Sequence, residues 1–117
     1  MGSSENVVKK DIMRILEDLG IKAWPVQSGR VRVAGGYMHL APRGTSDIIG
    51  YMPYTGRILA LEAKESGKLP SPAQVLFLGE VQNAHGLGMV VDDISVFSRW
   101  IVAKLDEDKK LAEMLYP

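Results

Sequence analysis

The sequence contains no cysteine, which excludes disulfide bonds and metal sites built from thiolates. It also has no apolar run near the roughly 18 residues that a membrane-spanning helix requires. Residues 1–4 are polar, lack the apolar core of a secretory signal and resemble an expression remnant, so we expect them to be disordered. These absences favour an intracellular protein of the cytoplasm, or of the host cytoplasm if the source is a virus, with no membrane partner.

An excess of charge of either sign is missing as well, since 14 basic residues balance 14 acidic ones. The distribution is less even, because the stretch from Lys22 to Lys68 holds seven basic and three acidic residues. A phosphate-binding face needs only such a local positive field. The candidates for phosphate contacts are Arg30, Arg32, Arg43 and Lys68, although a solvated surface explains these residues equally well.

The length of 117 residues and the hydrophobic content of 46% are those of one small globular domain over residues 1–117. Apolar spacing and turn residues predict the order α, several β, α, β, α. The predicted elements are helix 5–19, strands 21–27, 30–33, 37–40, 47–52 and 57–64, helix 71–85, strand 87–91, and a helix capped by Asp92 or Asp93. Residues 106–117 are expected to form a C-terminal extension with a short extra helix.

Strands 47–52 and 57–64 carry apolar residues on both faces, which predicts a central position in a sheet covered by helices. If the two strands form an antiparallel hairpin with a two-residue loop, the residue numbers of each facing pair sum to 109. Asp47 then lies opposite Glu62. A bulge at Gly56 would shift this register by about one residue. Because side chains alternate along a strand, Glu62 and Lys64 share a face.

Two carboxylates and a lysine at one point of a buried sheet are costly unless they bind something. Like charges repel unless a cation lies between them, and oxygen ligands select Mg²⁺ or Mn²⁺. Such an ion activates water and neutralises charge on a phosphoryl group. The alternative is a salt-bridged pair of Glu62 and Lys64 at a strand end, with Asp47 merely beginning a strand.

Three features resemble the PD-(D/E)XK nuclease superfamily: the run Gly44-Thr45-Ser46-Asp47-Ile48-Ile49-Gly50, the run Glu62-Ala63-Lys64 fifteen positions after Asp47, and Gln74 at the start of a helix. Within that superfamily the chain is most similar to the VRR-NUC (virus-type replication-repair nuclease) domain. Glu5, followed by Val8, Ile12, Leu16 and Gly20, also matches that family's first helix. The resemblance covers residues 5–100 and departs at Ser46, where the superfamily name expects proline.

The resemblance implies an α/β fold with a restriction-endonuclease-like αβββαβ core, in which helices flank a mixed central sheet. It implies that Asp47, Glu62, the backbone carbonyl of Ala63 and Glu5 ligate the metal, and that Lys64 positions the attacking water. Gln74 would support the site from the second helix.

Two of these residues have a second explanation in the sequence. Ser71 to Gln74 is a capping box, which accounts for the glutamine without any catalytic role. Glu5 lies in a first helical turn, where the helix dipole favours an acid.

The implied activity is hydrolysis of phosphodiester bonds in DNA, leaving a 5′ phosphate, in DNA repair. A bare VRR-NUC domain resembles a homodimeric resolvase of four-way (Holliday) junctions, and two-fold symmetry would place two sites against two strands. The alternatives are a flap, nicking or single-strand nuclease, a non-catalytic nucleic-acid-binding module on the same fold, and a small structural or oligomerisation domain.

Overall fold

The computed structural model describes residues 4–27 and 29–117. In these residues the chain forms three helices and six strands. They are α1 (Glu5–Asp18), β1 (Lys22–Pro25), β2 (Arg30–Val33), β3 (Gly36–His39), β4 (Ile48–Tyr51), β5 (Ile58–Ala63), α2 (Pro72–Asn83), β6 (Leu87–Val91) and α3 (Ile94–Leu115). The order of elements agrees with the sequence prediction, apart from the C-terminal region described below.

The centre of the molecule is a mixed four-stranded sheet in the order β1-β4-β5-β6. β4 pairs antiparallel with both β1 and β5, whereas β5 and β6 are parallel. Strands β2 and β3 form a separate antiparallel hairpin. The protein is therefore mixed α/β, with a mixed sheet flanked by helices.

The side chains of β5 alternate between two apolar clusters. Leu59, Leu61 and Ala63 pack with residues of α1 and α3, while Ala60 packs against Leu78 of α2. This covers the sheet on both faces, as its two-sided apolar pattern predicts. Glu62 follows Ala60 by two residues and therefore lies on the α2 face of the strand.

The predicted register of β4 and β5 is confirmed. Ile48 pairs with Leu61 and Tyr51 pairs with Ile58, so every pair sums to 109 and no bulge shifts the pairing at Gly56. The turn is closed by two backbone hydrogen bonds, from Met52 N to Arg57 O and from Gly56 N to Met52 O, at 2.8 and 2.9 Å. Continuation of this register brings Asp47 opposite Glu62.

The prediction of a short extra helix in residues 106–117 is wrong, because α3 runs without a break from Ile94 to Leu115. The apolar stripe that predicts the helix ends at Leu105, and a run of charged residues follows. What the sequence pattern does not reveal is that Asp108 is fully buried and accepts hydrogen bonds from the backbone amides of Tyr54 and Thr55. This contact holds the second half of α3 against the β4–β5 turn.

Of residues 1–4, for which we expect disorder, the structure describes Ser4. Its side chain accepts a hydrogen bond from Val7 N at 3.3 Å and caps α1. Residues 1–3 lie outside the described part of the chain. Among the described residues, no helix combines the length and the apolar character needed to cross a membrane.

Candidate metal centre

Three acidic side chains from distant parts of the sequence meet beside one end of the central strands. Glu5 lies in the first turn of α1, Asp47 directly precedes β4, and Glu62 is the fifth residue of β5. One carboxylate oxygen of each lies within 4.8 Å of the other two. The structure thus brings together the three acidic residues that the sequence analysis nominates as metal ligands.

Asp47 is held at both of its carboxylate oxygens. Oδ2 accepts a hydrogen bond from the backbone amide of Ala63 at 2.9 Å, which fixes the side chain against β5. Oδ1 lies 3.5 Å from Nζ of Lys9, one turn after Glu5 on α1. Asp47 therefore joins the sheet to the first helix at this point.

Glu62 is buried with an incomplete set of partners. Its side chain is 1% exposed, and its Oε1 accepts a hydrogen bond from Nε2 of Gln74 at 2.7 Å and lies 3.8 Å from Nζ of Lys64. Its Oε2 is buried without a hydrogen-bond partner among the described residues. A buried carboxylate oxygen without a donor is costly, so this atom needs an explanation.

The electrostatics of Glu62 follow from this position. Burial and then the nearby negative charge of Asp47 raise the pKa of Glu62 from its ordinary 4.5 to about 8, although Lys64 opposes the shift. Near neutral pH the side chain thus tends to retain its proton. A bound cation reverses that preference, because it stabilises the ionised carboxylate.

Gln74 makes two contacts, one with the helix cap and one with Glu62. Its Oε1 accepts from Ser71 N at 2.7 Å, which completes the capping box at the start of α2. Its Nε2 donates to Glu62, as described above. The cap fixes the glutamine side chain, so that its amide nitrogen is presented to the buried carboxylate.

This donor set is suited to a hard divalent cation. Three carboxylates converge, so every side-chain ligand atom on offer is an oxygen. One of these oxygens, Oε2 of Glu62, is buried without a hydrogen-bond partner among the described residues. Hard divalent cations such as Mg²⁺, Mn²⁺ and Ca²⁺ take carboxylate oxygens as ligands, and the predicted ions Mg²⁺ and Mn²⁺ are among them. Ala63 lies between Glu62 and Lys64, and its carbonyl remains a predicted ligand. Lys64 is partly buried beside Glu62, and its role at the attacking water remains a prediction.

Sequence reasoning missed Lys9. The signal was present, because positions four apart on a helix lie on the same side of it, and Lys9 follows Glu5 by four residues. With Lys64, it places a second ammonium group next to the carboxylates.

The four candidates for DNA contacts lie outside the carboxylate cluster. Arg30 and Arg32 are exposed on β2, and Arg43 is exposed in the loop before Ser46. Lys68 is 67% exposed in the loop before α2 and lies 3.6 Å from a carboxylate oxygen of Glu65. Their exposure is compatible with the predicted phosphate contacts and equally with a solvated surface.

Comparisons with known proteins add nothing to this geometry. No protein-family model matches the chain, and no curated protein matches its sequence at a significant level.

Proposed function

We propose that this protein is a divalent-metal-dependent nuclease that hydrolyses phosphodiester bonds in DNA, with a restriction-endonuclease-like core of the VRR-NUC type. The observation that carries the proposal is the convergence of Glu5, Asp47 and Glu62 within 4.8 Å, with one oxygen of Glu62 buried and unsatisfied. A purely structural role does not require three acids to meet, since ionising all three together is unfavourable without a cation between them.

In this proposal each residue has a defined task. Asp47, Glu62 and the carbonyl of Ala63 hold the ion, and Glu5 reaches it directly or through water. Lys64 orients the attacking water or stabilises the charge that develops on the phosphate. The ion itself supplies Lewis acidity and lowers the pKa of bound water.

Gln74 and the amide of Ala63 act as positioning groups. The hydrogen bond from Gln74 fixes Oε1 of Glu62, and Ala63 N fixes the orientation of Asp47. Partners of this kind usually change metal affinity or activity by about 10- to 100-fold when they are removed.

We further propose that the substrate is branched DNA, in particular the four-way junction, and that the active form is a homodimer. A two-fold axis would present two metal centres to two symmetric strands of a junction. Sedimentation velocity on the purified chain tests the dimer, and a strict monomer with no preference for junctions would eliminate the resolvase version while leaving the nuclease version in place.

The decisive experiment is cleavage of a labelled immobile four-way junction with Mg²⁺ or Mn²⁺. The Asp47→Asn variant and an EDTA control are run beside the wild type, because asparagine retains the oxygen that accepts from Ala63 N. Paired symmetric cuts that disappear in both controls would support a junction-resolving metal nuclease and the assigned role of Asp47.

A substrate panel separates the remaining versions. Flaps, single strands and nicked duplexes are tested under the same conditions if the junction is not cut. Cleavage of one of these substrates would support the nuclease function and would replace the junction resolvase by a nuclease of that other specificity. Absence of cleavage on every substrate would overturn the proposal and favour a non-catalytic nucleic-acid-binding module.

A further inference from the structure

The segment that precedes the metal centre is free of acidic residues. From position 27 to position 46 the sequence contains Arg30, Arg32 and Arg43 but no aspartate or glutamate. In a chain without net charge, such a segment has a positive potential of its own. It comprises the β2–β3 hairpin and the loop that leads to Asp47.

One face of the hairpin combines arginine with an aromatic ring. Arg30 and Arg32 are two positions apart on β2, and Arg32 pairs with Tyr37 of β3, so the three side chains lie on the same face. The guanidinium carbon of Arg30 lies 4.5 Å from the centre of the Tyr37 ring. Stacking of this kind holds the guanidinium by its flat face and leaves its in-plane N–H groups available to an anion.

A groove lies at the base of this hairpin. It has a volume of about 1020 Å³, and its lining includes Arg30 and Arg43 together with Leu40, Pro42 and Gly44. We call it the basic groove. Two arginines and several apolar residues line it, and this combination suits the alternating phosphates and sugars of a nucleic-acid backbone.

The basic groove is connected to the metal centre through Gly44. A Cβ atom at Gly44 would lie 2.3 Å from the carbonyl oxygen of Ala73, so the loop packs backbone to backbone on the first turn of α2. The next residue of that turn, Gln74, donates to Glu62, and Asp47 follows Gly44 by three positions. The wall of the groove and the carboxylates therefore belong to one continuous packed unit.

From these observations we propose that the basic groove binds the sugar-phosphate backbone of a nucleic-acid strand, with Arg30 and Arg43 at phosphates. The ring of Tyr37, which is 61% exposed, lies beside it as a stacking surface for an unpaired base. That the bound strand is then cut at the carboxylates rests on the proposed nuclease function, whereas binding of the strand in the basic groove does not depend on it.

The test is binding of fluorescently labelled DNA in EDTA, where no cleavage occurs. A four-way junction and a single strand are titrated with wild type, with the double variant Arg30→Gln/Arg43→Gln and with Tyr37→Leu. We expect the double variant to bind both probes at least tenfold more weakly, and its salt dependence on duplex arms to become shallower by about 1.8, or about 0.9 per lost phosphate contact. Tyr37→Leu is expected to weaken single-strand binding more than junction binding.

Arg99→Gln is the matched control, since Arg99 is exposed on α3, away from the hairpin and its loop. It should bind within twofold of wild type. Equal affinity and equal salt dependence of the double variant and wild type would overturn the proposal, as would the absence of binding by wild type. Cleavage by wild type with Mg²⁺ or Mn²⁺ separates the two proposals, because binding that depends on Arg30 and Arg43 in a wild-type chain that cuts no substrate supports the groove and refutes the nuclease.

Discussion

A buried carboxylate lies at each end of the β4–β5 hairpin, Asp108 of α3 at the turn and Glu62 of β5 at the open end, and the two differ in how their hydrogen-bonding capacity is satisfied. At the turn, Asp108 accepts hydrogen bonds from the amides of Tyr54 and Thr55 and from the Thr55 hydroxyl, and Nε of Arg57 lies 3.3 Å from its Oδ1. At the open end, Glu62 has an oxygen without any partner among the described residues.

This difference separates a structural acid from a candidate functional one. Asp108 is 0% exposed, but both of its oxygens are used, so its burial is stabilised by the groups around it. Glu62 is 1% exposed and lies among other acids, and Gln74 and Lys64 compensate its ionised form only in part, so that its pKa is raised. The two carboxylates are buried to the same extent, so burial does not distinguish a structural acid from a candidate ligand. The difference lies in their hydrogen-bond partners.

Of the substitutions that test the difference between Glu62 and Asp108, the largest expected effect is that of a change at Glu62 on DNA cleavage. Glu62→Gln preserves the shape and the hydrogen bond at Oε1 but removes a predicted ligand, and we expect junction cleavage to fall by about 10⁴-fold, the scale of losing one member of a catalytic set. Single-turnover cleavage with Mn²⁺ measures this. The neighbouring Glu65→Gln serves as the control and should cleave like wild type, and an active Glu62→Gln enzyme would refute the assignment.

The second effect is on stability as a function of pH. Because folding raises the pKa of Glu62 to about 8, the folded chain holds this proton more tightly than the unfolded chain does. The resulting stabilisation is fully present below about pH 4.5 and is lost as pH rises through 8.

Urea denaturation in EDTA from pH 5 to pH 9 measures this loss. Glu62→Gln should flatten the profile over this range, and saturating Mn²⁺ should offset the loss in wild type, since the ion binds the folded state. A wild-type profile identical to that of Glu62→Gln would contradict the predicted pKa shift.

The third effect concerns the satisfied carboxylate. Asp108→Asn removes the charge that faces Arg57, and we expect the free energy of unfolding to fall by about 3 kcal/mol. Asp106→Asn is the control on the same helix, because Asp106 is exposed, and it should cost less than about 0.5 kcal/mol. Below its melting temperature, Asp108→Asn should cleave DNA at the wild-type rate, and a loss of activity in the folded variant would show that the turn end also contributes to function.

The smallest effect is expected at Lys9. Its ammonium group lies 3.5 Å from Asp47 Oδ1, but its side chain is 36% exposed, so solvent screens the interaction. We expect Lys9→Ala to reduce the cleavage rate by less than about tenfold, roughly 1 kcal/mol. The reduction relative to wild type should be greater at low salt than at high salt. Lys10→Ala, in the exposed position next to it, is the matched control.

Local patterns in the sequence were sufficient for much of the scaffold. Alternation and a short loop gave the register that places Asp47 opposite Glu62, and the bounds of β6 follow from its apolar run. Ser71 and Asp93 act as the predicted helix caps. These features depend on residues that are close together in the sequence, which is why they can be predicted from local sequence patterns.

The sequence by itself determined the mixed α/β architecture, the order of its elements and the two facing acids of the central hairpin, because these follow from periodicity and turn chemistry. Only the tertiary structure decided that Lys9 contacts Asp47 and that α3 continues to Leu115 through a buried Asp108. It also decided that one oxygen of Glu62 has no hydrogen-bond partner within residues 4–27 and 29–117. The physical reason is that the cost of burying a charge depends on partners that are distant in sequence, and no local pattern reports whether those partners arrive.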